Sequence, residues 1–140
     1  MILLISCFAG SVIAFGQDHK GDRDVPESVR RAYQNDYPDY YDRHTTWDMN
    51  NNEWHTRHID RDHDRSVDVY YDRDGHRALS RTEWSRSDLP DAVRDRLRRE
   101  YHARRYKAYR IERPDRDIVF EINWGDRKLH LDELGREVQF

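Results

Sequence analysis

The residues best suited to chemistry lie in one short segment, which carries the side chains His55, His58, Asp60, Asp62, His63 and Asp64. Imidazole and carboxylate groups are common metal ligands. On a strand, however, residues three positions apart point to opposite faces, so His55 and His58 cannot easily bind one ion. The alternating aspartates resemble the start of a calcium-binding loop, but Arg65 stands where that loop needs glycine. A solvated hairpin turn explains the segment better, and we expect no metal or other cofactor.

Catalysis has no evident residue set. Hydrolysis needs a nucleophile oriented by a base, or two carboxylates held at a fixed distance. Serines, histidines and acids are present, but the eight histidines are scattered through polar stretches and no serine lies in a nucleophile-elbow context. The run Asp72-Arg73-Asp74-Gly75 is typical of a tight turn rather than of a ligand set. We therefore expect that the chain is not an enzyme.

Charge is dense but balanced. The 140 residues include 25 basic and 28 acidic side chains, for a formal net charge of −3. A nucleic-acid-binding protein normally carries a basic excess, so the composition argues against such a partner.

The first 16 residues contain no charged side chain, and small residues at Ala14 and Gly16 are typical of a signal-peptidase site. The apolar run is shorter than the ~20 residues that span a bilayer, so we predict a cleaved signal peptide and no membrane span. A polar leader over 17–24 follows it. Cys7 lies in a sequence that resembles a lipoprotein box, which leaves lipidation as the less favoured alternative. Either reading predicts a periplasmic or secreted protein.

A helix pattern occurs twice. Apolar or aromatic residues recur every four positions at Val25, Val29, Tyr33 and Tyr37, and again at Leu89, Val93, Leu97 and Tyr101. This spacing places the side chains on one face of a helix. We predict helices over Pro26–Tyr37 and Pro90–Ala103, the second capped by Ser87 or Asp88.

Strand-like runs separated by turn residues follow each helix. The first half predicts strands at Thr45–Met49, Trp54–Asp60, Ser66–Asp72 and Arg77–Trp84. The second half predicts strands at Lys107–Glu112, Asp117–Trp124, Lys128–Asp132 and Glu137–Phe140. Strands joined by short turns pair antiparallel, and one apolar face needs cover on one side only. The predicted fold is α+β, with two tandem α-β-β-β-β repeats over 25–84 and 89–140 that form one antiparallel sheet with both helices on one face and share one core.

Several of these features together resemble the PepSY-like, or β-lactamase-inhibitor-like, group of secreted bacterial proteins. They are the Val-Pro and Leu-Pro helix starts, the Tyr37-Pro38 helix end, the hairpin from Trp47 to Trp54, the Val67–Gly75 strand and turn, and the linking Leu79, Trp84 and Leu89. The resemblance covers 25–140, although the second half has Glu133-Leu134-Gly135 in place of Asp-x-Asp-Gly. It implies an exported module that binds or restrains another protein, in some relatives a peptidase, and it implies no catalytic residues.

One sheet face should remain without helices. If Trp54, Thr56 and His58 point inward, a set of polar, aromatic and apolar residues points outward. The candidate partner-binding face consists of His55, Arg57, Ile59, Asp68, Tyr70, Val119, Glu121, Asn123 and His130. Tyrosine and arginine commonly anchor protein contacts, whereas a merely solvated face is the alternative.

We therefore predict an exported, non-catalytic binding or inhibitory module that docks a protein partner, such as an envelope protein or peptidase, on this face. The histidines and acidic turns leave a periplasmic small-ligand or metal-binding sensor as the alternative function. Self-association along a free sheet edge is a third hypothesis.

Overall fold

The computed structural model describes residues 24–42 and 45–140. The predicted signal peptide, Cys7 and nearly all of the predicted leader lie outside these residues. The described part folds into two helices and one seven-stranded antiparallel sheet, whose strands follow one another in chain order. The elements are α1 Glu27–Asp36, β1 Asp48–Asn50, β2 Glu53–Asp60, β3 Arg65–Tyr71, β4 Arg77–Trp84, α2 Asp91–Arg99, β5 Lys107–Glu112, β6 Val119–Trp124 and β7 Arg127–Leu131.

The predicted fold of two tandem α-β-β-β-β repeats is wrong. Four strands follow α1, but only three follow α2. The predicted strand Glu137–Phe140 is reduced to one isolated bridge between Leu131 and Glu137 and a hydrogen bond from the Val138 N–H to the His130 carbonyl. Because Phe140 turns over the sheet to stack on His130, the segment does not continue along the edge.

The likeness of the two halves is local and lies in their turns. Asp72 Oδ1 accepts hydrogen bonds from the backbone N–H groups of Asp74 and His76. Asp132 Oδ1 does the same for Leu134 and Arg136. In each turn the side chain of the first aspartate takes the place of a backbone acceptor. The second turn therefore forms even though it has only this one aspartate, whereas the first turn has two.

Each turn ends in a glycine packed against a helix. Gly75 has φ +90°, and a Cβ there would lie 2.7 Å from the Ser28 carbonyl oxygen in α1. Gly135 has φ +74°, and a Cβ there would lie 2.8 Å from the Ala92 carbonyl oxygen in α2. Both positions require glycine for its backbone conformation and for the close approach of the helix.

Two separate cores lie beneath the helices, in place of the single shared core that the sequence suggested. Val29 and Tyr33 of α1 belong to one buried cluster with side chains of β2 and β3. Val93 and Leu97 of α2 belong to a second cluster with side chains of β5, β6 and β7. Across successive strands, Val67 pairs with Thr82, Thr82 pairs with Arg110, and Arg110 pairs with Phe120. Directly paired residues lie on the same face, so both clusters are on one face of the sheet. Between the clusters this face is polar.

The second helix is shorter than predicted. It ends at Arg99 because His102 adopts φ +49° and the Ala103 N–H turns back to the Leu97 carbonyl, which buries Ala103. Pro90 occupies the N-cap position, with no side-chain cap from Ser87 or Asp88. Neither of the two helices in the described ranges is long and apolar enough to span a membrane.

Candidate functional site

Both helices of the described residues lie on one face of the sheet, and the opposite face is named the open face. On this face, Arg57 pairs across strands with Asp68, which in turn pairs with Arg81. In the second half of the sheet, Tyr109 pairs with Glu121, which in turn pairs with His130. All nine residues of the predicted partner-binding face lie on this face by their register. Trp54 and Thr56 point to the other face and are buried. Strand alternation alone therefore placed the nine residues on one side.

Asp68 is the centre of the first polar group on the open face. It is only 4% exposed. Its Oδ1 atom lies 2.8 Å from His55 Nε2 and accepts a hydrogen bond from Arg57 Nε at 2.7 Å, and Arg81 lies 3.7 Å from its Oδ2 atom. The Tyr70 ring stacks on His55 with 4.7 Å between ring centroids. The carboxylate thus contacts three side chains from the two neighbouring strands, and Tyr70 packs on one of them.

Glu121 is the centre of the second polar group and is 6% exposed. Its Oε1 atom accepts hydrogen bonds from Arg81 at 2.8 Å and from the Asn123 amide at 2.9 Å. Lys128 and His130 each place a nitrogen 3.5 Å from its Oε2 atom. Arg81 contacts both carboxylates, so the two groups form one network across the sheet.

The pKa values of the two carboxyl groups reflect this network. Burial by itself raises the pKa of Asp68, but hydrogen bonds from His55 and Arg57 outweigh it and lower the pKa to about 2. Burial likewise raises the pKa of Glu121, and hydrogen bonds from Arg81 and Asn123 lower it to about 2. Both carboxylates therefore stay ionised at neutral pH and hold their cationic partners.

Two of the nine predicted residues lie outside the network. Ile59 is at the far end of β2 and is 49% exposed. Val119 lines a depression together with Ile111, Val138 and Phe140, where the C-terminal segment comes over the sheet. Ile111 is buried although it lies on the open face. This end of the face is therefore less open than the sequence suggested.

Sequence reasoning missed three residues of the network: Lys128, which lies beside Glu121, and the contacting pair Arg81 and Tyr109. The guanidinium carbon of Arg81 on β4 lies 3.3 Å from the centroid of the Tyr109 ring on β5, and these two strands separate the two carboxylates. Both residues fall within predicted strands, at positions that alternate with the inward-facing Ser80 and Ala108. The same period-two argument that selected the nine residues would have found them.

The histidines of the 55–64 segment are divided between the two faces. His55 belongs to the open face, whereas His58 lies on the helix-bearing face, where its Nδ1 atom is 2.8 Å from the Tyr33 hydroxyl and its ring stacks on Tyr40. His63 pairs with Asp60 in the turn. Within residues 24–42 and 45–140, the one group spaced to hold a metal ion is Asp72, Asp74 and His76, but both oxygens of Asp72 already accept hydrogen bonds within that turn.

The chain matches no protein-family model and no curated protein sequence. Its fold is shared with solved structures of Bacteroides proteins. A candidate periplasmic protein of Bacteroides eggerthii DSM 20697 is 15% identical, with a TM-score of 0.73 over 82% of this chain and 86% of that one. A DUF2874 family protein of Bacteroides ovatus ATCC 8483 is 15% identical, with a TM-score of 0.68 over 81% and 84% of the two chains.

A BLIP-like protein of Bacteroides fragilis NCTC 9343 is 20% identical, with a TM-score of 0.64 over 81% of this chain and 83% of that chain. The likeness therefore extends over nearly the whole described part of the chain and nearly the whole of each neighbour. At these identities it establishes a common fold.

Proposed function

We propose that this chain is an exported, non-catalytic module that docks a partner protein on its open sheet face. The observation that carries the proposal is the network around Asp68 and Glu121, which fixes arginine, histidine and tyrosine side chains on the open face. Tyrosine and arginine are the residues most often found at the energetic centre of protein interfaces.

Rigidity of the face supports this proposal. Arg57 is bound at Nε by Asp68, yet 60% of its side chain is exposed, so the remaining guanidinium nitrogens are available to a partner. Tyr70 is held against His55. Side chains that are already ordered lose less conformational entropy when a complex forms, which favours affinity.

Export and family membership are part of the same proposal. The uncharged start over 1–16 supports export. The fold likeness to a candidate periplasmic protein and to a BLIP-like protein agrees with a periplasmic binding module of the PepSY-like group. An envelope protein or a peptidase is the class of partner that we propose.

A test is affinity capture from periplasmic extract with the tagged mature chain. We expect a discrete partner to be enriched, and enrichment to fall at least about tenfold in the double variant Arg57→Ala/Tyr70→Ala, since each anchor residue contributes on the order of 1–2 kcal/mol. Far-ultraviolet circular dichroism should show that this variant is folded.

The matched control is Arg31→Ala/Arg98→Ala, which removes two exposed arginines from the helices on the opposite side of the protein. Capture should be unchanged in this control. Equal capture by both double variants would contradict docking on the open face, and loss in the control alone would place the interface on the helices.

A further inference from the structure

A groove of about 490 Å³ lies on the helix-bearing face, between the two core clusters. Tyr37 and Tyr40, which pack against the first cluster, line one side, and Trp84, which packs against the second, lines the other. Ser80 and Thr82 of β4 lie on its floor. The volume is within the range of about 300–1,000 Å³ that is typical of small-molecule sites.

The floor presents hydrogen-bond donors that lack acceptors. Ser80 is 5% exposed, and neither its hydroxyl nor that of Thr82 bonds to any described residue. Arg77 Nε is buried and also has no partner in the described part of the chain. The nearest carboxylate to Arg77 is Asp36 at 3.9 Å, and the same Asp36 oxygen already accepts a hydrogen bond from the Tyr71 hydroxyl. A buried polar group without a partner is costly, so the Arg77 Nε atom calls for an explanation, and the two hydroxyls lie beside it in the groove.

Three acids line the groove: Asp60 and Glu112 are already paired, and Asp62 is exposed. Asp60 accepts hydrogen bonds from the Tyr40 hydroxyl and from the Asp62 N–H, and it pairs with His63. Glu112 pairs with Arg110. Burial lowers the pKa of Arg110, which also lines the groove. Among the described residues none accepts a hydrogen bond from the buried Arg77 Nε, and an oxygen acceptor with negative charge would supply that bond.

We propose that the groove binds a small organic molecule that carries a carboxylate. The carboxylate oxygens accept the hydrogen bonds of Arg77, Ser80 and Thr82, and the planar guanidinium matches carboxylate geometry. The rings of Tyr40 and Trp84 contact the carbon skeleton of the ligand. The groove and the open face are on opposite sides of the sheet, so this site is independent of partner docking.

The test is a titration of the ¹⁵N-labelled mature chain with glutarate, followed by NMR. We expect saturable shifts of the Ser80 and Thr82 amides and of the Trp84 indole N–H. Glutaramide, which has the same carbon skeleton without charge, should cause no such shifts, and inorganic phosphate should bind more weakly than glutarate. Phosphate binding as tight as glutarate binding would overturn the assignment to carboxylates.

Two variants locate the site. Arg77→Gln and Ser80→Ala should each weaken glutarate binding by about fivefold or more, the effect of losing one hydrogen bond to a charged group. Arg127→Gln, an exposed arginine on β7 outside the groove, is the control and should bind as the parent does. Should Arg77→Gln fold poorly, Ser80→Ala still tests the site, because it removes only an unpaired hydroxyl. Unchanged affinity in Ser80→Ala, or shifts confined to the open face, would refute the proposal.

Discussion

Arg81 and Glu121 form a 2.8 Å ion pair that crosses an intervening strand. The Tyr109 ring of that strand lies against the guanidinium of Arg81, which also approaches Asp68. One arginine thus joins two buried carboxylates that originate in different halves of the chain, and the open face owes its order to this contact.

Removing Arg81 should destabilise the protein strongly. Arg81→Ala leaves Glu121 buried without its closest cation, so we expect the free energy of unfolding to fall by about 3 kcal/mol. Urea unfolding followed by tryptophan fluorescence measures the change. The control Arg98→Ala removes a well-exposed ion pair to Asp95 and should cost less than about 1 kcal/mol. Similar losses in the two variants would contradict a special role for Arg81.

Stability should decline in acid. The folded-state pKa values of Asp68 and Glu121 are about 2, whereas the ordinary values are 3.8 and 4.5. Because the pKa is lower in the folded state, the stabilisation is complete above about pH 5 and is lost as the pH falls towards 2. Each carboxylate should account for on the order of 2 kcal/mol over this range. Denaturant midpoints between pH 7 and pH 2 would measure the loss.

The double variant Asp68→Asn/Glu121→Gln identifies the source of that acid sensitivity. It should be less stable than the parent at neutral pH, yet its stability should vary less between pH 5 and pH 2, because the two titrating groups are gone. An equally steep decline in the variant would assign the sensitivity to other carboxyl groups.

The turn glycines should be sensitive to alanine substitution to different degrees. Gly75→Ala and Gly135→Ala each combine positive φ with a Cβ less than 3 Å from a helix carbonyl oxygen. We expect a loss of about 2–3 kcal/mol for each, measured by thermal unfolding. Gly125 also has positive φ, at +54°, but a Cβ there meets nothing within 4 Å, so Gly125→Ala should cost only about 1 kcal/mol. Equal losses at all three positions would mean that helix contact is unimportant.

His58 should titrate below the ordinary histidine range. Burial against Tyr33 and Tyr40 lowers its pKa from 6.5. Because the unfolded chain takes up this proton more readily, the stabilisation is present above pH 6.5 and declines as the pH falls below it. An NMR titration of the imidazole protons measures the value. In Tyr40→Ala the ring is uncovered, and its pKa should rise; a parent value at or above 6.5 would contradict the burial.

Local rules explain which features were predictable. Strand alternation is a property of the backbone. The sequence therefore predicted that residues as distant as His55 and His130 lie on the same face of the sheet. The two asparagines at Asn51 and Asn52 adopt positive φ and close the first hairpin, as their sequence predicted. Helix α1 begins and ends within one residue of its predicted bounds because Pro26 and Pro38 limit it on both sides.

Features that depend on distant neighbours were predicted less well. Helix α2 has no proline at its end, and its length was decided by the packing of Ala103 rather than by a local stop signal. The alternating sequence of Glu137–Phe140 is compatible with a strand, but Phe140 gains a ring stack on His130 and a cation–π contact with Arg113 by leaving the edge. Such competition between edge pairing and side-chain contact has no local sequence signal.

The sequence by itself determined the type of the two helices and seven strands, the antiparallel pairing of strands joined by tight turns, and the division of each strand into an inner and an outer row. All three depend on backbone geometry and short-range spacing. Only the tertiary structure decided that Arg81 reaches across β5 to Glu121, that each helix covers its own core, and that a groove separates the two cores. These features depend on the reach of side chains and on the shape left between packed elements, which residues distant in sequence establish together.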